Sequence, residues 1–513
     1  MDSKPSGPSS NTVSLIEPSA QALSSETVFY SEVAPEIKKA LFIYPPTGVY
    51  MRDDRCQAPV EGMTAQPNRA PLDLAYMAAM LEKIGIECRI RDYSAEKADW
   101  NTLIQDLRQF EPDMLVVSVT TPTILKDLSA CHIAKETLPK ILTVAKGAHF
   151  TPKAEETVLG FKQLDIAIRG ESEHAIAEIA GRRLFKDILG LTYRLEGKLI
   201  KNPDRPYIEV EDLDTLPFPA RHLLNNNLYV APDTGEAITM INTGRGCPHK
   251  CIYCAVTIAS GYKLKVRSPK NIVDEIEGCV KQLGIRNFFF RADTFTWDEK
   301  WTTDVCKEIL ARNLNIRWGS NSRVDTISEE RLIWMKKAGC WIIGFGIESG
   351  NQENLDKMKK RAKLEDARQA VALCKKHGIK TYGLFLIGLP WETRAMVDDT
   401  IRFMQELNPS FIDLNIAYPL PGTEYYRIAK EMGLFKDEDL SSGDYSKPIV
   451  HTVELSTNDL INLRRKAILS FYLRPAYIFP TLAGRADTGV LWNYLKSGVR
   501  LFKNHAFTFA GAE

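Results

Sequence analysis

The sequence predicts an α/β protein with two parallel-sheet domains in tandem. The first is doubly wound and Rossmann-like, the second a partial (β/α)6 TIM-like barrel, and a mostly helical C-terminal segment follows. Three observations predict this. Short apolar runs alternate with helical patterns from residue 36 to about 185. The alternation lapses over 186–235 and resumes for six more units from Ala237. Residues 425–513 lack it and read as helices.

In the first unit, residues 38–46 (KKALFIYPP) read as a buried strand stopped by a proline pair. Residues 71–85 carry apolar side chains at helical spacing, with Pro71 suited to the first turn and Gly85 to the exit. Strands are expected at 87–93 and 113–121, with a helix over 101–112 between them. DMLVVSVTT is apolar nearly throughout, as in a parallel strand covered on both faces. KDLSACHIAKETLP continues as a helix, and KILTVAKGAHF and LDIAIRGESE as strand-plus-loop units. Residues 186–235 form a linker with some strand character, in which the two prolines of DLDTLPFPARHLL predict an ordered strap. The barrel strands are expected at 237–243, 286–293, 316–322, 341–349, 381–388 and 411–418, with helices between them. In such folds the chemistry sits at the C-terminal strand ends. The divisions are therefore a disordered tail (1–35), an α/β domain (36–185), a linker (186–235), a barrel (236–424) and a C-terminal segment (425–513).

The 513 residues have 44% hydrophobic and 26% charged content, as in a globular protein. A net charge of +1 excludes a general polyanion-binding surface, so no nucleic-acid partner is expected. No stretch approaches the roughly 20 apolar residues of a membrane span. Of the ten cysteines, seven (Cys56, Cys88, Cys131, Cys279, Cys306, Cys340, Cys374) are scattered and read as small buried side chains. Cys247, Cys251 and Cys254 cluster in TGRGCPHKCIYCAV, which points to a metal site in a reducing cytoplasm.

That C-x3-C-x2-C segment directly follows the first predicted barrel strand, so it lies at the barrel mouth. Gly244 and Gly246 let the chain bend around a bulky inorganic group. Iron–sulfur clusters are commonly held by four thiolates, so three on a four-iron cluster leave one iron open. Structural zinc needs four closed ligands, and His249, inside the first cysteine gap, is awkwardly placed to be the fourth.

At these residues the sequence resembles the radical S-adenosylmethionine (SAM) superfamily, over the whole barrel. The resemblance implies a 4Fe–4S cluster on Cys247, Cys251 and Cys254, whose open iron is chelated by the amine and carboxylate of SAM. Reductive cleavage of SAM then yields a carbon radical. It further implies SAM contacts from Tyr253, from Asp293 in FRADTFTWD, from Ser320, Asn321 and Arg323 in SNSRVD, and from Glu348 and Ser349 in GIESG. GLFLIGLPWET resembles the fifth-strand segment that packs on adenine. The family often has two acids in the second-strand segment; here Ala292 stands beside Asp293.

The first domain resembles the cobalamin-binding domain found before many radical SAM barrels. The matching pieces are PLDLAYMAAMLEKIGIECRIRDY, PDMLVVSVTTPT, the KGAHFTP loop and DIAIRGESE. Ligands of doubly wound sheets bind at the C-terminal strand ends, near the topological switch point. There Ser118, Thr120 and Thr121 are expected to hydrogen-bond a nucleotide tail. Gly147 and Gly170 allow close approach, and His149 and Glu171 stand in the same loops. The Asp-x-His-x-x-Gly loop of relatives with an axial histidine is absent from PPTGVYMRDDRCQAP. His149 reads more readily as a loop-packing residue than as a cobalt ligand. Arg52, Arg55 or Cys56 meets cobalt or substrate, or the two arginines pair with Asp53 and Asp54.

Together the two resemblances imply cobalamin-dependent methyl transfer to an unactivated carbon, or alternatively radical cyclisation, ring contraction or carbon–carbon coupling on a lipid or tetrapyrrole. A non-catalytic cobalamin sensor is a further alternative, which the intact cysteine triad opposes. A small-molecule or lipid substrate and an electron donor such as flavodoxin or ferredoxin are the implied partners. Arg464, Arg465, Lys466, Arg474, Arg485, Lys496, Arg500 and Lys503, set among aromatics, leave two readings of the C-terminal segment. It either touches an anionic membrane surface peripherally or packs across the barrel. Asp413, Asn415, Tyr418 and PLPGTEYY are expected to face the substrate.

Overall fold

The computed structural model describes residues 32–52, 57–59 and 68–483. Almost all of the expected tail lies outside these residues, as do Asp53, Asp54, Arg55, Cys56, Arg485, Lys496, Arg500 and Lys503.

The N-terminal sheet contains β1 (Lys39–Tyr44), β2 (Glu87–Asp92), β3 (Met114–Ser118), β4 (Leu142–Lys146), β5 (Ile166–Ile168), β6 (Leu191–Leu195) and β7 (Lys198–Lys201). Its order is β2-β1-β3-β4-β5-β6-β7. The first five are parallel, and β6 and β7 add an antiparallel edge. The sheet thus runs past the boundary expected at 185, into the stretch read as linker. Helices α1 (Leu72–Glu82), α2 (Trp100–Phe110), α3 (Ile124–Thr137), α4 (Phe150–Gly160) and α5 (Glu173–Ala180) cover both faces. Two separate apolar clusters result, one around Phe42, Met77 and Ile176, the other around Ile43, Leu107 and Phe150. The chain reverses direction across the sheet between β1 and β3, which is the switch point where ligands of such sheets sit.

The strap holds α6 (Val210–Leu213) and is otherwise mostly extended. It staples the domains together. The Ala220 N–H donates to Ala75 of α1 at 3.0 Å, while Arg221 reaches the barrel, donating to the Met240 carbonyl at 2.7 Å and to Glu275 at 2.6 Å.

The barrel follows as β8 (Ile238–Asn242), a short antiparallel pair β9 (Gly244–Arg245) and β10 (Lys265–Val266), then β11 (Asn287–Arg291), β12 (Arg317–Ser322), β13 (Cys340–Glu348), β14 (Lys380–Ile387) and β15 (Phe411–Ile416). The six main strands are all parallel and in sequence order, with β8 and β15 as the edges among the described residues. Between them lie α7 (Val256–Ser260), α8 (Pro269–Leu283), α9 (Glu299–Ala311), α10 (Glu329–Lys337), α11 (Gln352–Lys357), α12 (Leu364–Lys376) and α13 (Arg394–Leu407). Side-chain caps from Ser268, Asp298, Ser328, Asn351 and Thr393 start α8, α9, α10, α11 and α13. Phe290 stacks on Trp318 with ring centroids 4.4 Å apart at the centre of the core.

The C-terminal segment holds α14 (Glu424–Glu431), α15 (Thr457–Tyr472) and α16 (Pro475–Ala483). Two of its arginines turn inward. Arg464 is buried and donates to the Leu414 carbonyl of β15 at 2.7 Å, and Arg474 donates to the Gln405 carbonyl at 2.9 Å. Over the described residues, then, the segment packs across the barrel, and these two arginines do not belong to a membrane-facing basic stripe. No helix among the described residues is long and apolar enough to cross a membrane.

Candidate active site

The C-terminal strand ends of the two sheets face each other across a cleft open to solvent. The N-terminal domain contributes Tyr44, Asp73, Lys146, Gly170 and Glu171 to its walls, and the barrel contributes Asn242, Arg245 and Arg291.

The cysteine loop leaves β9 and lies at the barrel mouth. Cys247, Cys251 and Cys254 are half-buried, unpaired thiols. Gly246 sits at φ 84°, and a Cβ there would lie 2.2 Å from the Lys263 carbonyl, so only glycine fits. Burial pushes the Cys247 and Cys254 thiols up. No three His, Cys, Asp or Glu side chains among the described residues converge on one point as they would around a single ion. A cubane cluster takes one thiolate per iron, and the triad would supply three, near enough together for the Cys247 and Cys251 charges to act on Cys254. Asp293 is close enough to Cys247 and Cys254 for its charge to act on both thiols.

The expected SAM-binding residues divide. Ser320 is wholly buried, yet its Oγ has no partner, and neither has the buried Oδ1 of Asn321 among the described residues. Such orphaned atoms are costly unless a polar ligand meets them. Glu348 stands in the left-handed region at φ 68°, at the register shift between β13 and β14, and pairs with Lys360 at 2.8 Å. Lys360 also donates to the Tyr253 hydroxyl at 3.4 Å. Residues Lys359 and Arg361, on either side of it, are left-handed too (φ 58° and 56°), so the backbone is strained to aim Lys360 inward. Gly346 makes room for this pair, since a Cβ there would fall 2.6 Å from Glu348 Oε1. Burial and the Glu348 charge push the Tyr253 phenol well above its ordinary range. Arg323 is already held by Asp325 at 2.6 Å and by the Lys360 carbonyl at 2.9 Å. Ser349 departs from expectation. Its hydroxyl faces away from the mouth, bonded to Thr400 at 3.1 Å and accepting from Asn354.

The expected cobalamin-binding residues divide as well. Gly147, Gly170 and Glu171 line the cleft. Gly147 has φ 149° and lies so close to β3 that a Cβ would sit 2.5 Å from the Val119 carbonyl. Glu171 is pinned by Arg245 at 3.1 Å and by the Ile208 N–H at 2.6 Å. Ser118, Thr120, Thr121 and His149 are buried behind the wall and satisfied by protein groups. Ser118 donates to Asp73 at 2.9 Å, Thr120 bonds Thr123 at 2.6 Å, and Thr121 accepts or donates at His149 Nδ1, 3.2 Å away. The other His149 nitrogen meets Thr157 at 3.1 Å, so the ring has no nitrogen left for cobalt. Burial, then the Lys153 charge, lowers its pKa to about 4. These four hydroxyl and imidazole side chains hold the loops that form the wall. Arg52 likewise pairs with Asp127 at 2.7 Å, a partner neither sequence reading proposed, and both side chains are fully buried.

Sequence reasoning missed the other charges at the cleft: Asp73 with Lys146 (2.6 Å), Arg245 with Glu173 (2.5 Å), and Lys360. Arg245 lies two residues before the first cysteine, the one local signal available. Asn242, at the end of β8, also carries an unpartnered buried Oδ1. Of the seven scattered cysteines, all but Cys56 are described, and all six are buried.

Comparison with known proteins agrees with this arrangement. Residues 241–404 match the Radical SAM superfamily, and residues 63–180 match the B12 binding domain. The chain is 31% identical over 445 residues to an uncharacterized methyltransferase of Pyrococcus horikoshii, covering 86% of this chain and 94% of that one. It is 26% identical over 457 residues to the anaerobic magnesium-protoporphyrin IX monomethyl ester cyclase of Rubrivivax gelatinosus, covering 84% and 80%. In fold it is similar to the radical SAM methyltransferase TsrM of Kitasatospora setae, with TM-score 0.62, 20% identity and 77% of each chain covered. It is also similar in fold to the cobalamin-dependent SAM radical enzyme OxsB, with TM-score 0.65, 16% identity and 91% of this chain and 72% of that one covered. The chain is therefore a cobalamin-dependent radical SAM enzyme of the methyltransferase type, belonging to the family that sets a B12-binding domain before a radical SAM barrel and works with a 4Fe–4S cluster, SAM and cobalamin.

Proposed function

We propose that this enzyme transfers a methyl group to an unactivated carbon of a small molecule held in the cleft between the two sheets. The observation that supports it is the cleft itself, where cobalamin-side residues (Gly170, Glu171) and barrel-mouth residues (Asn242, Arg245) line one space. When bound, the cofactors supply a carbon radical that removes hydrogen from the substrate and a methyl group that replaces it. The protein's part is positional. Cys247, Cys251 and Cys254 hold three irons and leave the fourth open. Asn321 offers its unpartnered amide oxygen to SAM, while Ser320, its neighbour on β12, lies on the face of Trp318. The Glu348–Lys360 pair offers an acid and a base at the same mouth, poised for an amino group and a carboxylate. Gly147, Gly170 and Glu171 shape the cobalamin side. The two electrons that each turnover would consume, one for SAM cleavage and one to restore the cobalamin, come from a flavodoxin or ferredoxin, in keeping with a reducing cytoplasm.

A second reading, radical ring formation without methyl transfer, is favoured by the similarity to the Rubrivivax cyclase. Labelled-methyl SAM separates the two. Under turnover with reductant, the methylase reading expects a labelled carbon in the product. Formation of 5′-deoxyadenosine with an unlabelled product sinks it and leaves the cyclase.

A further inference from the structure

The cysteine loop has an outer side as well as a side facing the cleft. Between the first two cysteines, Lys250 is exposed, and its ammonium lies 5.9 Å from the ring of Tyr262, which is 57% exposed. Beside it, His249 meets Trp297 edge-on with ring centroids 5.5 Å apart. Trp297 is 45% exposed, although a tryptophan on a globular surface is usually covered. Arg361 is exposed as well, and its charge acts on His249 from the loop after α11. Lys250 and Arg361 have no ion-pair partner among the described residues. By contrast, the other exposed lysines nearby are neutralised, Lys263 by Glu209 at 2.9 Å and Lys359 by Glu424 at 2.6 Å. Of the acids beside the patch, Asp325 holds Arg323, Glu299 meets Arg331 at 3.3 Å, and Asp298 caps α9 through the Trp301 N–H at 2.6 Å.

Resting on the radical SAM reading of this site, we infer that the patch of Lys250, Arg361, Trp297 and Tyr262 is where a small acidic redox protein docks to reduce the cluster. Charge complementarity selects the partner, since two unneutralised cations flanking exposed aromatics suit an acidic surface with an apolar centre. Position selects its purpose. His249 lies within the cysteine loop and touches Trp297, so a donor seated on Trp297 stands one ring contact from the cluster ligands. The step is a single-electron transfer. The donor's reduced flavin or iron–sulfur centre loses one electron, the cluster gains it, and no bond or proton need move.

The test uses the full chain with its cluster reconstituted, reduced anaerobically either by a fully reduced acidic flavodoxin or by dithionite, and followed by cluster absorbance. Lys250→Glu and Arg361→Glu are expected to lower the second-order rate with flavodoxin by about ten-fold each at low salt. Added salt should slow the native protein and narrow that gap, while dithionite reduction stays within about two-fold. Trp297→Ala should lower the rate at saturating flavodoxin, with Trp297→Phe restoring part of it. Unchanged or faster flavodoxin rates in both charge reversals overturn the inference, as does equal slowing with both reductants, which would mean these residues only support the cluster. If the native chain binds no cluster, the radical SAM reading fails first and takes this one with it.

Discussion

The two sheets present their strand ends to the same cleft in opposite condition. Where the N-terminal sheet meets the cleft, the buried polar side chains are already satisfied. Ser118, Tyr44 and Lys146 converge on Asp73, while Thr120, Thr123 and Arg52 converge on Asp127. At the barrel mouth, Asn242 and Asn321 keep buried side-chain oxygens without partners among the described residues. Each such atom costs on the order of 1–3 kcal/mol until something polar meets it. The difference teaches that the cobalamin side is a finished wall, working through shape and backbone. The barrel side is left incomplete for a polar ligand to complete.

The strongest way to break this comparison is at the cysteines. Replacing Cys247, Cys251 or Cys254 by alanine should abolish SAM cleavage, read as loss of 5′-deoxyadenosine, with iron content falling. A variant that keeps both would remove the cluster from the barrel side altogether. Next in size is Asp127→Asn, which strands the fully buried Arg52 guanidinium. It should cost about 3–5 kcal/mol by chemical denaturation, whereas replacing both partners with apolar residues should cost far less. A wall that tolerates the single change is not finished in the sense meant here.

Smaller effects sharpen the contrast. Asn321→Ala should leave stability unchanged or raise it, yet weaken SAM binding by about ten-fold, equivalent to roughly 1.4 kcal/mol. Ser118→Ala should do the reverse, costing about 1 kcal/mol of stability while SAM affinity holds. Equilibrium SAM binding and denaturation on the same samples would expose an inverted pattern. A further effect, seen only on acidification, is the pH response of His149, held near 4 against an ordinary 6.5. A depressed imidazole stabilises the fold fully above the unfolded value. That contribution is lost as pH falls from about 6.5 toward 4, at no more than about 1.4 kcal/mol per pH unit. In His149→Gln this acid limb of the stability–pH curve should flatten; an unchanged limb would assign it elsewhere.

Much of the fold was legible because parallel strands covered on both faces are short apolar runs, and each barrel strand lies within its expected run to about one residue. The β6–β7 hairpin was legible only as strand character in a linker, since β7 is exposed or half-exposed throughout and the antiparallel pairing depends on the edge offered by β5. Within the site the cysteines were legible from spacing alone. Lys360 was not, because it reaches Glu348 and Tyr253 only after its loop folds over the end of β13. The partner of Ser349 was not legible either, because Thr400 lies 51 positions away.

By itself, then, the sequence determined the two sheets and the chemistry of the cysteine loop, because strand periodicity and ligand spacing are written within a few consecutive residues. Only the tertiary structure decided which polar groups are available. Ser118 is satisfied by a residue 45 positions away and Arg52 by one 75 positions away, while Ser320 and Asn321 are left without any. Whether a buried polar atom is satisfied depends on what the fold brings beside it, and local sequence does not carry that information.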